Sequence, residues 1–529
     1  MPLQRWTPTT TISAREKYIL KRCQKKRRLF SFLREHRSEL FDDALQQELE
    51  AMYRNTGAGR DPLCPALMAM ALILQGYLGV SDADAVELTV VDLRWQMVLD
   101  CLGAEAPAFS QGALHDFRQR LIANDMDRRL LERTAELARA TRGFDAKKLP
   151  RTLRIGIDSS PLSGAGRVED TLNLVGHAAR KVAECAVQLL ECEYSDFCRK
   201  AGIPLLLDKS VKKALDCDWS DNEQKAAAVD ELAKQVLSLE RWIAKHLATE
   251  ADSPPLQDLL AVLQQLMDQD LEPDPSGGGM RIRNGTAEDR RISIEDGEMR
   301  HGRKSKSKRV NGYKRHIAAD LDSQAIVACA VTPANQPEHE ALPRLKADIE
   351  AQKIHISEAH FDRGYMGSTA VDELESEGAA ILCKPWRPHN TRNAQMYTKR
   401  DFSLDLRSMT MTCPGGQTES MRPGHTLYFD SSACDRCRLR SNCTTARRGT
   451  GRSVAIADDE ARQEKLRRML RTKSGRDRFR ERVPIEHRLA HISHRQGNNA
   501  RYMGARKNLY DLRRAAVIQN LETMQRKAA

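Results

Sequence analysis

Residues 152–160 read TLRIGIDSS, and this stretch indicates the kind of fold that begins here. Leu153, Ile155 and Ile157 are apolar and alternate with polar or small residues, a period of two that is typical of a half-buried β-strand. Asp158 comes directly after the last of these apolar residues. The alternation therefore predicts a strand that carries an acidic side chain, and it marks the start of a new domain.

Further segments downstream have the same strand character. Strands are predicted at residues 313–319, 325–332, 354–361 and 379–383, the first two joined by a turn into a hairpin. A helix at 338–352 precedes the third of these strands, and a helix near 368–377 follows it. Together with the strand at Asp158, this order predicts a mixed five-stranded α/β sheet with helices.

The remaining segments are predicted to be mostly helical, because apolar residues recur every three or four positions. In the first 145 residues, Ser13 and Glu16 match a capping box that opens a basic helix running to about residue 35. Residues 174–280 read as a helical insertion. The last helices are predicted at 458–471, 476–493 and 504–524, with Pro484 able to kink or split the second.

Composition narrows the class of protein. The 529 residues are 40% hydrophobic and 30% charged, which is typical of globular domains. No apolar run reaches about 18 residues, so no membrane span is expected, and the first ten residues lack a secretory apolar core. A cytoplasmic protein is therefore expected. Thirteen cysteines, an odd number, fit reduced thiols and metal ligands better than a disulfide framework.

The positive charge is concentrated in three places. Residues 462–527 hold 19 Lys and Arg against 6 Asp and Glu, a surplus that exceeds the net charge of +12 for the whole chain. Residues 15–37 hold 10 basic and 2 acidic residues, and residues 300–315 hold 8 basic residues and none acidic. Such patches predict a polyanionic partner, most simply nucleic acid, although solvated helix faces would give the same pattern.

Three acids in this order of elements could meet. Asp158 lies on the first strand, Asp362 at the end of a strand predicted beside it, and Glu486 on a late helix that could pack across the same sheet edge. Converging carboxylates repel one another unless cations bind between them, and hard oxygen ligands select Mg²⁺ or Mn²⁺. Spacing alone does not choose these three from 73 acidic residues.

Local sequence makes that choice. Four segments resemble the DDE transposases of bacterial insertion sequences, whose catalytic domain has an RNase H-like fold shared with retroviral integrases. The N-terminal helical stretch resembles the domain that precedes this core in many relatives. The four segments are IGIDSS at 155–160, HGRKSKSKRVNGYKRHIAADLD at 301–322, DRGY at 362–365 and RERVPIEHRLAHISHRQGNNARYMGARKNLYDLRRAAVIQNL at 480–521.

The resemblance implies a catalytic set of Asp158, Asp362 and Glu486 that binds two Mg²⁺ or Mn²⁺ ions. Asp170 is the alternative to Asp158, and the strand alternation favours Asp158. Glu481 is the alternative to Glu486. Arg482 matches an Arg found four residues before the catalytic Glu. This chain departs from the family at two other positions. Phe479 stands where relatives carry Tyr, and Ser493 stands where they carry Lys.

The resemblance also implies contacts with the DNA backbone, which position DNA without reading its sequence. Arg is suited to this role because it binds phosphate through two parallel hydrogen bonds. A disordered basic loop that only aids solubility is the alternative for the segment at residues 303–315. The expected contacts are Arg482, Arg488, Lys304, Lys306, Lys314, Arg501, Arg506 and Lys507.

A separate group of cysteines has metal-ligand spacing. Cys413, Cys434, Cys437 and Cys443 form the pattern C-x20-C-x2-C-x5-C, and four thiolates at such intervals can bind tetrahedral Zn²⁺. Similar relatives carry a cysteine cluster between the second Asp and the Glu. A structural Zn²⁺ is therefore predicted, with four reduced thiols as the alternative.

The sequence thus predicts a Mg-dependent transposase of an insertion sequence that cleaves and joins double-stranded DNA at element ends and target. It is expected to act in the bacterial cytoplasm at the nucleoid, as a homodimer or higher oligomer on DNA. A DNA-binding regulator without catalysis and an RNase H-fold nuclease without strand joining are the alternatives. The expected domains are 1–145, helical and DNA-binding; 150–173 with 290–386 and 455–525, the catalytic core; 174–280, a helical insertion; and 387–450, a Cys-rich insertion.

Overall fold

The computed structural model describes residues 5–53, 62–140, 152–275, 277, 279–303, 307–386 and 396–528. Lys304 and Lys306, both expected to contact DNA, lie outside these ranges.

The N-terminal part is helical, as the periodicity predicts. Its helices are α1 Ala14–Lys26, α2 Arg28–Leu40, α3 Asp43–Glu50, α4 Pro65–Leu78, α5 Asp82–Val91, α6 Leu93–Leu99, α7 Gln111–Ala123 and α8 Met126–Ala140. The capping box at Ser13 and Glu16 is confirmed. The single helix to residue 35 is wrong, because the chain leaves helical geometry at Arg27 and α2 begins anew. The bend lets both helices turn apolar residues such as Ile19 and Phe30 into one core.

β1, Leu153–Ser163, is followed by an insertion with a core of its own. This insertion is helical, as expected, and it ends in a small hairpin. Its elements are α9 Thr171–Leu190, α10 Tyr194–Ala201, α11 Val211–Ala214, α12 Asn222–His246, α13 Ala248–Ala251, α14 Leu256–Asp270, β2 Leu271–Pro273 and β3 Met280–Ile282. Because its apolar residues pack mainly on one another, the insertion adds a body beside the sheet without changing the sheet.

The central sheet follows. Its elements are β4 Arg300–Arg303, β5 Arg309–Asp320, β6 Ile326–Pro333, α15 Leu342–Glu350, β7 Ile356–His360, α16 Thr369–Ser376 and β8 Ala380–Leu382. The strands lie in the order β6-β5-β1-β7-β8, with β4 also paired to β5. β5 is antiparallel to β1 and β6, whereas β7 and β8 run parallel to β1. This order and these directions define an RNase H-like core.

A small Cys-rich module comes next. It consists of β9 Ser403–Asp405, β10 Thr410–Thr412, β11 Thr418–Ser420, β12 Thr426–Tyr428, α17 Ser431–Arg436, α18 Arg440–Cys443 and β13 Ser453–Ala455. β9 to β11 form one sheet and β12 pairs with β13. Its small core includes Phe402, Met411 and Phe429.

Four helices complete the chain: α19 Glu460–Arg471, α20 Lys473–Arg480, α21 Val483–Gln496 and α22 Ala505–Ala528. The helix predicted at 476–493 is divided into α20 and α21, and Pro484 lies in the first turn of α21 as the sequence suggested. No described helix is by itself long and apolar enough to cross a membrane. α4 and α5 meet that criterion only as a pair, and they are bent by 104°.

α22 joins the N-terminal helices to the sheet. It packs against α4, α8 and β6, and the buried residues of these elements form one continuous core. Buried ion pairs reinforce the contact. Arg513 on α22 reaches Asp125 at 2.6 Å, Asp127 at 3.2 Å and Asp348 at 3.0 Å, and Arg506 reaches Asp127 at 2.5 Å. Asp127 is only 2% exposed.

We predict that Asp127→Asn destabilises the protein by about 2 kcal/mol, because it weakens the charged hydrogen bonds to Arg506 and Arg513, which keep Asp125 and Asp348 as acidic partners. The urea midpoint of unfolding, followed by circular dichroism, measures the change. Asp196→Asn is the matched control, since Asp196 pairs with Arg199 on the exposed surface of the insertion, where such pairs contribute about 0–1 kcal/mol. Equal midpoints for the two variants would contradict the proposed role of Asp127.

Candidate active site

Three acidic side chains from three separate elements line one cleft of about 700 Å³. Asp158 lies on β1, Asp362 follows the end of β7, and Glu486 lies in the first turn of α21. These are the three acids that the sequence singled out, and they are far apart along the chain.

The sheet register explains why the two aspartates are neighbours. β1 and β7 run parallel, and Gly156 is paired with His360. Asp158 is two residues beyond Gly156, and Asp362 is two residues beyond His360. Both therefore emerge at the carboxyl edge of the sheet, where open α/β sheets commonly bind ligands.

Gly156 also explains why Glu486 lies close to the two aspartates. A Cβ at Gly156 would lie 2.3 Å from Cγ1 of Ile485, so only glycine lets α21 pack this closely on β1. Ile485 is buried, and the next residue on the helix is Glu486. The glycine in the opening strand thus sets the position of the third acid.

Buried Arg315 fixes the far end of the same helix. Its guanidinium donates to Ser160 Oγ at 2.8 Å, Gln496 Oε1 at 2.9 Å, Gly497 O at 2.8 Å and Ser493 Oγ at 2.8 Å. Arg315 belongs to the basic cluster at 300–315 but is 1% exposed, and burial lowers its pKa to about 10. Ser493, at the position where relatives carry Lys, is one of the acceptors and lines the cleft.

Arg482 lies among the three acids. Its Nη2 is 3.0 Å from Asp362 Oδ1 and 3.0 Å from Glu486 Oε1, and its Nη1 is 3.7 Å from Asp158 Oδ1. Nη1 is buried and has no hydrogen-bond partner. One guanidinium therefore offsets three negative charges, and one of its nitrogens stays available to a further acceptor in the cleft.

The pKa of Asp158 departs strongly from its ordinary value. Burial raises its pKa to about 6, and repulsion from Asp362 and Glu486 adds to the rise. The attraction of Arg482 and a hydrogen bond from the backbone N–H of Ser159, 2.9 Å from Asp158 Oδ1, oppose it. A buried acid with a raised pKa in a cleft marks a functional site, and such an acid gains from a bound cation.

The two alternative acids lie elsewhere. Asp170 caps α9 and pairs with Lys212 at 3.2 Å. Glu481 pairs with Arg154. Glu481 also belongs to a group with Glu358 and His360 whose ligand atoms all lie within 4.8 Å of one another, the one such group of acids, His and Cys found in the described ranges.

Arg154 and Arg478 already neutralise that group. Arg154 contacts both Glu358 and Glu481, and Arg478 contacts Glu358. Burial raises the pKa of Glu358, but hydrogen bonds from His360 and Arg478 outweigh it and hold the value at about 2. The group reads as an ion-pair network that ties α20 to the sheet.

The basic residues expected to contact DNA fall in different surroundings. Lys314 lines the cleft, where its Nζ donates to Gln336 O at 2.6 Å. Arg488 donates to Thr523 Oγ1 at 2.6 Å and is not among the residues lining the cleft. Arg501 and Lys507 are exposed. Arg506 is bound to Asp127, as described above.

The sequence reasoning did not single out Glu338 or Ser159, which also line the cleft. Glu338 opens a 3₁₀ turn, Glu338–Ala341, and accepts a hydrogen bond from the Ser159 hydroxyl. Ser159 lies beside Asp158 in the opening motif, so its presence could have been foreseen. Glu338 stands in a loop among other acids, and no local pattern distinguishes it.

The four cysteines of the small module line one cavity of about 320 Å³. A Cβ at Gly415 would lie 3.0 Å from Cys437 Sγ and 3.6 Å from Cys413 Sγ, so glycine keeps the space between these thiols open. Burial raises the pKa of Cys443, and the other three thiolates add to the rise. No three of these sulfurs, all in described segments, lie mutually within 4.8 Å. The donor set fits Zn²⁺ in chemistry, but the sulfurs lie farther apart than the ligands of one tetrahedral ion do, so they would have to draw together to bind it.

Two protein families match the chain. The family described as "Transposase DDE domain" matches residues 285–509, and the family described as "Transposase domain (DUF772)" matches residues 21–120. Neither a curated protein nor a solved structure matches. The first match contains Asp362 and Glu486, and the second covers the N-terminal helices. With an RNase H-like sheet and three acids at its carboxyl edge, the chain belongs to the DDE transposases of insertion sequences and functions in transposition.

Proposed function

We propose that this transposase cleaves DNA at the ends of an insertion sequence and joins those ends to target DNA, with Mg²⁺ or Mn²⁺ as cofactor. The carrying observation is the convergence of Asp158, Asp362 and Glu486, from three separate elements, around one positive charge. Carboxylate oxygens are the ligands that these hard cations prefer.

The acids would hold two such ions. A pair of bound cations supplies activation of the attacking oxygen and stabilisation of the leaving oxygen in phosphodiester displacement. Asp158 must be deprotonated to act as a ligand, and a nearby cation favours its charged form. The same three side chains would serve both the hydrolytic cut by water and the attack of the freed 3′-hydroxyl on target DNA.

Arg482 would change partners when the cations enter. Its charge duplicates what a bound cation provides, so it becomes free to donate to a phosphate of the scissile strand. The unpartnered Nη1 favours this role. Lys314, in the same cleft, is proposed to bind a second phosphate.

Other DNA contacts are proposed outside the cleft. Arg501 on the segment before α22 and Lys507 in the first turn of α22 are exposed and suit phosphate binding. Lys304 and Lys306 remain proposed on their sequence alone. Arg488 and Arg506 are engaged inside the protein, so they would reach DNA only by exchanging those partners. Reading of the element ends is proposed for the N-terminal helices, where the exposed Lys17, Lys21 and Lys25 belong to the basic cluster at 15–37.

Two further parts of the proposal concern the assembly and the small module. The transposase would act in the cytoplasm at the nucleoid, as a homodimer or higher oligomer on double-stranded DNA. One Zn²⁺ held by Cys413, Cys434, Cys437 and Cys443 would brace the Cys-rich module, whose apolar core is small.

Asp158→Asn, Asp362→Asn and Glu486→Gln should each abolish Mg²⁺-dependent strand cleavage of element-end DNA while retaining most DNA binding, because they remove charge and keep size. Gel assays of cleavage and of binding measure the two effects. Asp170→Asn is the matched control and should cleave normally. A single variant with near-normal cleavage would show that its residue is misassigned. Normal cleavage by all three would refute catalysis at this cleft, and binding without any cleavage by the wild type would favour a regulator.

The purified protein should contain about one Zn²⁺ per chain, and Cys434→Ser or Cys437→Ser should lower both the zinc content and the melting temperature, because structural zinc contributes directly to folding free energy. Elemental analysis and thermal unfolding measure these changes. Cys192→Ser, in the helical insertion, should alter neither. Absence of zinc from protein prepared without chelators would contradict the proposal.

Arg501→Ala together with Lys507→Ala should weaken binding to element ends and to random duplex DNA alike. The slope of log affinity against log salt should flatten by about 0.9 for each phosphate that the variant no longer neutralises. Fluorescence anisotropy at several salt concentrations measures the slope. Arg241→Ala with Lys245→Ala removes two exposed charges from the helical insertion and should leave the slope unchanged. A flattened slope in this control, with an unchanged slope in the first variant, would show that the insertion binds the DNA backbone.

A further inference from the structure

Glu338 places a fourth carboxylate in the cleft with Asp158, Asp362 and Glu486. It stands at the start of a 3₁₀ turn that follows Pro337, in the connection from β6 to α15. This turn packs against the 3₁₀ turn Arg363–Tyr365, which directly follows Asp362. The position of Glu338 is therefore set by the turn that carries one of the catalytic acids.

One oxygen of Glu338 is tied to the strand that carries Asp158. The hydroxyl of Ser159 donates to Glu338 Oε1, while the backbone N–H of the same serine donates to Asp158 Oδ1 at 2.9 Å. Ser159 thus donates hydrogen bonds to the carboxylates of both Asp158 and Glu338, and it links the two side chains directly.

The other oxygen of Glu338 lies against the turn that carries Asp362. A Cβ built on Gly364 would lie 1.9 Å from Glu338 Oε2, so the carboxylate would have to leave this position to admit a side chain. Gly364 is the glycine of the D-R-G-Y segment, and it does not require a left-handed backbone here, since its φ lies outside that region. The glycine leaves room for the carboxylate of Glu338, which occupies the space that a side chain at this position would fill.

Glu338 also lacks a neutralising partner. Across the described ranges, no Lys, Arg or His nitrogen lies within 4.0 Å of its carboxylate, whereas Arg482 serves the other three acids. Lys314 attracts Glu338 electrostatically, but its Nζ donates to Gln336 O and makes no ion pair with Glu338. A partly buried carboxylate without a partner is costly unless a cation binds it.

We propose that Glu338 is a fourth metal-binding acid of this cleft, acting beside Asp158 and Asp362. The inference rests on the function proposed above. It differs from a purely structural role, in which Glu338 would only accept the Ser159 hydrogen bond. The two roles require different properties of the side chain: metal binding needs its charge, whereas the hydrogen bond needs only an acceptor oxygen.

Mn²⁺ titration of the full-length protein, followed by electron paramagnetic resonance of the free ion, tests this difference. Glu338→Gln keeps an acceptor for Ser159 and removes the charge, so we expect Mn²⁺ affinity to fall tenfold or more with an unchanged melting temperature of the metal-free protein. Glu340→Gln, two residues away and exposed, is the matched control and should bind Mn²⁺ normally. Unchanged affinity in Glu338→Gln would overturn the proposal.

Ser159→Ala provides a second comparison. It removes the hydrogen bond and keeps the charge of Glu338, so Mn²⁺ affinity should fall less than in Glu338→Gln. A larger loss in Ser159→Ala than in Glu338→Gln would show that the hydrogen bond matters and the charge does not, which overturns metal binding by Glu338.

Gly364→Ala tests the steric relation independently. The added methyl should expel the Glu338 carboxylate and lower Mn²⁺ affinity about as much as Glu338→Gln does. In Glu338→Ala, the space is already vacated, so adding Gly364→Ala should cause little further loss, since changes that act through one contact are not additive. Full additivity would show that Gly364 acts without Glu338 and would overturn the proposed link.

The failure of this inference can be told apart from failure of the proposed function. If the wild type binds no Mn²⁺, the metal-dependent mechanism fails and this inference with it. If the wild type binds Mn²⁺, Asp158→Asn abolishes binding and Glu338→Gln does not change it, the site is metal-binding and Glu338 alone has been misassigned.

Discussion

The mutual repulsion of Asp158, Asp362 and Glu486 is the constraint on which the cleft depends, because three carboxylates at one sheet edge are stable only around a positive charge. The guanidinium of Arg482 supplies that charge here, within 3.0 Å of two of the acids. Burial raises the pKa of Asp158, and the repulsion from Asp362 and Glu486 adds to that rise. The side chains of this cleft therefore leave negative charge in excess, which is the electrostatic setting that a bound cation requires.

Glycines make this crowding possible. Gly156 admits Ile485 and thereby brings α21 onto β1, and Gly364 admits the carboxylate of Glu338 beside the turn of Asp362. In both places a methyl group would occupy space that a neighbouring side chain already fills. The motifs around the two aspartates therefore contain glycine for reasons of close approach. Arg315 completes the arrangement by clamping the end of α21 to β1 through four hydrogen bonds.

The basic surplus of the C-terminal segment has two uses in the structure. Arg513 and Arg506 form ion pairs with Asp125 and Asp127 and so fasten the N-terminal helices to the core, while Arg501 and Lys507 remain exposed. Because the N-terminal helices and the sheet share one hydrophobic core, these helices are held in a fixed position relative to the cleft. Net charge counted along a sequence does not separate these uses, since an Arg facing an Asp and an Arg facing solvent count alike.

Much of this protein was determined by sequence alone. Period-two alternation located β1, strand signals joined by a turn located the hairpin, Pro484 located the break before α21, and the D-R-G-Y turn singled out Asp362, which lines the cleft. These are local signals, because strand periodicity and turn chemistry act over a few residues. Tertiary structure alone decided the rest. Glu338 enters the cleft from a loop without a motif, Arg506 turns to Asp127, and the chain bends at Arg27 so that two helices can share a core. Each of these depends on residues distant in the chain, and only packing brings such residues into contact.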